Sequence, residues 1–324
     1  MLRSCFFIGF FLVSHSCFSQ NPDTTTYWHN KVRAIHYKPE GNDFVCVNGK
    51  RRFTRALYGT NTAFRVETGD LPEFAMYMPG MGGNIKFGLI NGKQSKWLIN
   101  AQNIKAIYRP GSMLYEIKDP MLGKGTLHIT ILALADAEGM IIKTEFINVD
   151  TKAELLLAYG GASGKKFSRD GDMGPDPESS FYLKPEYCSD NSYLINKNNF
   201  LLKYGTGVVA EWDPYVNKTF TSDTVKAVKI GKEQKMAGLV PPAMQLHVAD
   251  AVEQSSPITL FQSAQSKSPL VTGKMNIRNN EPYFFALENV SSGNLPAYAE
   301  TATLFNKAEI AREKIANRIL IKTP

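Results

Sequence analysis

Four charged side chains crowd into nine residues: Arg65, Glu67, Asp70 and Glu73. Paired carboxylates are what glycoside hydrolysis uses, one as acid and the other as base or nucleophile. An arginine among them can pair with one acid or hold a ligand hydroxyl. Glu67, Asp70 and Glu73 are therefore the candidate catalytic acids, and Arg65 a candidate for carbohydrate binding. The same residues also have a plain reading. Loops between strands are rich in Asp and Glu for turn geometry alone, and Arg65 then makes a structural ion pair.

Three other stretches carry chemistry-bearing residues. Glu211-Trp212-Asp213-Pro214-Tyr215 sets rings beside carboxylates, a combination that binds sugars when the rings stack on C–H faces and the acids take hydroxyls. Trp212, Asp213 and Tyr215 are candidates on that ground, against a core tryptophan at a strand end. Residues 161–180 form the longest irregular segment and include Arg169 and Asp170. A loop of that length inside a compact fold is functional or disordered. Asp170-Gly171-Asp172 resembles the start of a calcium loop, but the closing glutamate of an EF-hand is missing. Gly80-Met81-Gly82-Gly83-Asn84 could present amides to a phosphate. No helix follows it, so it reads as a turn using positive φ angles.

Other chemistries are excluded by what is missing. His29, His36, His128 and His247 have no partner at metal-ligand spacing, and no cofactor or metal is expected. There is no nucleophile elbow. The net charge of +7 is not gathered into basic blocks, which argues against nucleic acid as a partner. Residues 1–19 combine Arg3, an apolar run from Cys5 to Val13 and small residues at Ser14, Ser16 and Ser19. That is the pattern of a secretory signal peptide cut near Ser19, and the chain is expected in the periplasm or outside the cell. Cys17 offers a lipoprotein as the alternative, though Ser14-His15-Ser16 lacks the apolar residue of a lipobox. No later stretch is long and apolar enough to be a transmembrane helix. Cys46 and Cys188 remain, either as a disulfide or as separate buried thiols.

The elements that must position these residues are strands. Residues 20–43 lead into the fold, with a first strand over Val32–Tyr37. Phe44–Val47 is a strand, Asn48-Gly49 a hairpin turn and Arg51–Leu57 the returning strand. Short strands follow at Phe64–Glu67, Glu73–Met78, Asn84–Ile90 and Ser95–Asn100, with Asn91-Gly92 as a second hairpin turn. Ile104–Arg109, Met113–Ile117, Thr126–Leu134, Met140–Val149 and Ala153–Gly160 continue the meander. Strand character resumes at Phe181 and recurs to Pro282–Glu288, Pro257–Phe261 included. Short alternating strands separated by Gly, Pro and Asn-Gly turns predict an antiparallel sandwich over 44–298. Thr303–Ile319 is a helix, with Leu304, Ala308, Ala311, Ile315 and Ile319 on one face and Thr301 or Thr303 as its cap.

Two motifs, Arg55-Ala-Leu-Tyr-Gly-Thr-Asn-Thr-Ala-Phe-Arg-Val-Glu-Thr-Gly-Asp-Leu-Pro-Glu-Phe and Met78-Pro-Gly-Met-Gly-Gly-Asn-Ile-Lys-Phe-Gly, carry a resemblance. The chain resembles domain-of-unknown-function family 4450, large exported bacterial proteins that look like six-hairpin glycosidases. The resemblance implies an all-β supersandwich, then a linker helix over 299–324, then an (α/α)6 barrel holding the catalytic acids. That barrel would begin where Pro324 ends. No catalytic residue therefore transfers onto this chain. The implied role is a non-catalytic front domain that supports or completes a carbohydrate-active site. The implied partners are an oligo- or polysaccharide and a helical domain or chain on the last helix. A free-standing carbohydrate-binding module and an autonomous hydrolase using the loop acids are the alternatives.

Overall fold

The structure is a computed structural model that describes residues 24–26, 32–62, 64–78, 81–161, 181–189, 191–203, 209–210, 227–228, 235–265, 267–290 and 297–317. The chain divides into two units, Met1–Lys38 and Pro39–Pro324. In the first, Thr24–Thr26 pairs antiparallel with Val32–Ala34. The first expected strand thus ends at Ala34, before Tyr37.

The second unit is an antiparallel β-supersandwich followed by a helix. Its larger sheet has the order Ser192–Asn196, Asn199–Lys203, Lys235–Leu239, Pro282–Asn289, Gly139–Ile147, Thr126–Ala133, Ser112–Lys118, Asn103–Arg109, Asp43–Val47. Its smaller sheet runs Gln245–Asp250, Pro269–Asn276, Glu154–Gly160, Met81–Asn91, Glu73–Met78, Arg65–Thr68, Arg55–Leu57, and Gln94–Trp97 folds back on Met81–Asn91. Alternation assigns the faces. In Thr126–Ala133, Leu127, Ile129 and Ile131 are buried while the residues between them lie near the surface. The two inner faces meet in one apolar cluster. Three aromatic pairs span it: Phe87 with Phe285 at 5.0 Å between ring centroids, Tyr159 with Phe200 at 5.4 Å, and Phe74 with Tyr115 at 5.7 Å. Tilted and edge-on rings at such separations add attraction beyond their buried area.

Several expectations need correction. Asn48-Gly49 does not turn a hairpin. Asp43–Val47 pairs with Asn103–Arg109 instead, and Arg55–Leu57 joins the other sheet. Asn48 takes φ 52°, donates its backbone N–H to the Ile104 carbonyl and accepts from Ile104 N on Oδ1, both at 2.8 Å. Gly49 is small because Asp70 lies against it: a Cβ there would sit 2.3 Å from Asp70 Oδ2. The Gly82-Gly83-Asn84 run is likewise strand, not turn. A Cβ on Gly83 would meet the Tyr159 hydroxyl at 2.5 Å, so glycine is needed for close approach rather than for a left-handed backbone. Pro257–Gln262 is a helix, not a strand. Ser256 Oγ accepts from Thr259 N at 3.2 Å and Pro257 occupies the first turn, both start signals of a helix. Phe181 lies outside any strand, and the chain enters a short helix at Pro185–Cys188. The Asn91-Gly92 hairpin forms as expected, with Asn91 opposite Gln94.

The last helix spans Thr301–Ala316. Thr301 is inside it, not capping it; its Oγ1 donates to the Tyr298 carbonyl at 2.7 Å. The helix lies on the outer face of the larger sheet, where Ala308, Leu304 and Phe305 cover Leu132, Ile141 and Phe284. Arg312 fixes it to the Pro110-Gly111 turn by donating to the Pro110 carbonyl at 3.1 Å. The apolar stripe outruns this cover: Ile315, one heptad past the buried Ala308, is 52% exposed. No helix among the described residues is long and apolar enough to cross a membrane.

Candidate functional site

The outer face of the smaller sheet carries a polar array. Val66, Phe74, Met76, Ile85 and Phe87 turn inward to the core. The residues alternating with them, Arg65, Glu67, Glu73, Tyr77, Asn84 and Lys86, therefore share the opposite face. Register sets Arg65 opposite Tyr77, Glu67 opposite Ala75 and Glu73 opposite Lys86. Phe53, Phe181 and Tyr182 cover part of this face by packing on Ala75 and Tyr77.

Glu73 is fully buried. Its carboxylate accepts from Arg52 Nε at 2.7 Å, Arg52 Nη2 at 2.6 Å and Asn84 Nδ2 at 2.9 Å. Asn84 Nδ2 also donates to the Phe181 carbonyl at 2.8 Å. The Arg52 guanidinium lies 3.5 Å from the centre of the Tyr182 ring. A fork-shaped cation, a carboxylate and a ring thus form one seam between the sheet and the 181–184 segment. Glu67 pairs with Arg65, whose guanidinium lies 3.8 Å from the Tyr77 ring centre. Burial pulls the Arg65 pKa down, but the Glu67 ion pair and nearby tyrosines outweigh it and the net shift is upward.

The sequence-predicted residues are only partly brought together. Arg65, Glu67 and Glu73 share the face. Asp70 does not: it is buried at a junction of two loops, where Oδ2 accepts from Arg51 N at 2.9 Å. Arg169, Asp170, Trp212, Asp213 and Tyr215 lie outside the described residues. Cys46 and Cys188 are both buried and are not bonded to each other, so the reading as separate buried thiols holds over the disulfide between them. Burial pushes the Cys188 thiol up to about 11, and its sulfur accepts from Gly161 N at 3.1 Å.

Arg52, Asn84, Tyr182 and Lys86 were not singled out by sequence. The alternation Asn84-Ile85-Lys86-Phe87 held the signal for two of them, since a strand over Asn84–Ile90 sets Asn84 and Lys86 on the face opposite Ile85 and Phe87. Lys86 is 6% exposed. Its Nζ donates to Gln254 Oε1 at 2.8 Å and lies 4.0 Å from the Trp97 ring centre. Burial drives its pKa down to about 8, against the pull of Glu73. The unfolded lysine titrates near its ordinary 10.5, so between these values the unfolded chain holds more protons than the folded one. Stability must rise with pH across that window, and the cost is present in full below it. The gain is about 3 kcal/mol. The unfolding free energy of the native protein, relative to Lys86→Met, is expected to improve by that amount from pH 7.5 to 10.5. Urea unfolding at the two ends checks it, and a difference that ignores pH refutes it.

Chemically, the array offers guanidinium, carboxylate and ring edges side by side. Neither Glu67 nor Glu73 can give or take a proton here without breaking an ion pair.

Comparison with known proteins gives three findings. The profile of the family described as "Domain of unknown function (DUF4450)" matches residues 78–309. No curated protein matches the chain. Among solved structures, a bacterial glucoamylase complexed with acarbose aligns with TM-score 0.47 and 12% identity, covering 83% of this chain and 40% of that one. The alpha-N-acetylgalactosaminidase NagBb from Bifidobacterium bifidum, in complex with GalNAc, aligns with TM-score 0.27 and 10% identity, covering 80% and 37%. The chain spans about two fifths of the length of these structures.

Proposed function

The chain belongs to the DUF4450 family, and from that premise we propose that it is an exported, non-catalytic β-sandwich that supports or completes a carbohydrate-active site. The catalytic groups belong to a helical (α/α)6 domain seated on the last helix. One observation carries this reading: the apolar stripe of Thr301–Ala316 is longer than the sheet that covers it. Ala308 is buried, while Ile315, one heptad further along the same face, stands in solvent. An exposed isoleucine that continues the buried face of a seated helix favours a second apolar surface against it. The paired acids on the smaller sheet support the same division of labour, because their oxygens already serve the sandwich.

The test is the same gene read past codon 324. The longer product and the present chain are assayed side by side for reducing-sugar release from a panel of polysaccharides. The longer chain is expected to degrade one of them and the present chain none. Ile315→Asp is expected to cut the longer chain's activity about tenfold, the worth of ~1.4 kcal/mol of lost docking. Equal hydrolysis by the present chain overturns the proposal. So does a gene that ends there with no helical domain encoded beside it.

A further inference from the structure

A cleft of about 560 Å³ opens beside the larger sheet, walled by residues 59–62 and 135–138 and floored by Glu288 and Asn289. Leu287 points into the core and Phe284 lies under the last helix, so alternation places Glu288 on the outer face. Two of the cleft's three acids are engaged. Asp136 pairs with Lys307, and Glu138 Oε2 accepts from Asn289 Nδ2 at 2.8 Å. Glu288 differs: the residue is only 9% exposed, its carboxylate reaches solvent through the cleft it lines, and no described residue gives that carboxylate a hydrogen bond or an ion pair. Burial alone moves its pKa, and the direction is upward.

A carboxylate that meets solvent only through a cleft and has no protein partner is less well solvated than one on the open surface, and a cationic ligand can relieve that cost. Three acids repel an anion. Among the described residues the three do not bring their oxygens within 4.8 Å of one another, so they form no cage for a bare metal ion. The cleft is also far larger than such an ion, and no aromatic residue lines it to stack a neutral sugar. Thr60, Thr62 and Asn289 supply hydroxyl and amide groups around the acid.

We propose that this cleft binds a hydroxylated ligand of single-sugar size bearing a protonated amine, with the ammonium on Glu288 and the hydroxyls on Thr60, Thr62 and Asn289. The choice of a sugar amine rests on the carbohydrate reading; the need for a cation rests on Glu288 itself.

Titration calorimetry of the 324-residue chain with D-glucosamine at mildly acidic pH tests this, with D-glucose and calcium chloride as comparisons. Glucosamine is expected to bind at least about tenfold more tightly than glucose, as a charge-assisted hydrogen bond gives. Glu288→Gln should abolish that preference, whereas Glu138→Gln, which leaves the buried acid in place, should retain it. Equal binding of the two sugars, calcium as the preferred occupant, or a preference that survives Glu288→Gln overturns the proposal. Should Glu288→Gln fail to fold, the native preference between the two sugars decides it. Polysaccharide hydrolysis by the longer gene product is read separately, so either conclusion can fail while the other stands.

Discussion

Glu73→Ala is expected to cost about 3–5 kcal/mol of stability. The substitution takes from the Arg52 guanidinium, which is only 22% exposed, the carboxylate that accepts two of its hydrogen bonds. It also removes an acceptor from Asn84 Nδ2, loosening the tie from the sheet to the Phe181 carbonyl. The cost comes chiefly from a part-buried charge losing its fork-shaped hydrogen bonds, not from the net worth of the pair. Arg52→Met combined with Glu73→Met should therefore recover a large part of the loss, since an apolar pair of similar volume leaves no charge behind. Denaturant midpoints of the two single variants and the double variant form the cycle that separates these effects. A loss below about 1 kcal/mol, typical of an exposed ion pair, would mean that the seam is solvated.

Phe285→Ala is expected to cost a similar amount, about 3–5 kcal/mol, for an unrelated reason. Phe285 is 1% exposed and meets Phe87, itself fully buried, across the gap between the sheets. Removing one ring leaves a void bounded by two rigid sheets, and neither can collapse into it without disturbing its ladder. Tyr58→Ala, at a residue 60% exposed, is the control and should stay within about 0.5 kcal/mol. Calorimetric melting of the two variants checks the contrast; a Phe285→Ala loss no larger than the control's would show that the inner faces relax freely.

The fold was legible in the sequence wherever alternation and turn residues agreed. Thr126–Ala133, Gly139–Ile147, Glu154–Gly160 and Pro282–Asn289 appear close to where their β-branched and aromatic residues place them. Reading failed where one residue type serves two physical needs. Glycine supplies positive φ in turns, yet Gly49 and Gly83 are glycines because a neighbouring side chain comes close. That neighbour lies far along the chain and cannot be seen locally. Asn48-Gly49 has the composition of a hairpin turn, but the pairing of Asp43–Val47 with Asn103–Arg109 prevails, because tertiary context overrides local turn preference. The candidate site was half legible. The crowding of Arg65, Glu67 and Glu73 does correspond to one face of the smaller sheet, whereas Arg52 and Tyr182 reach that face from separate segments with no mark in their own sequence.

The order in which the larger sheet is assembled bears on synthesis. Pro282–Asn289 sits between Gly139–Ile147 and Lys235–Leu239, so it is central in space and late in the chain. A growing polypeptide can complete the hairpins from Asn103 to Ile147 soon after they leave the ribosome. The outer edge of Gly139–Ile147 then waits while residues 148–289 are added, on the order of ten seconds at ordinary translation rates. Through that interval an apolar strand offers an open row of N–H and C=O groups to any other extended chain. Yield in the cell is therefore governed by protection of a nascent edge as well as by the stability of the finished sandwich.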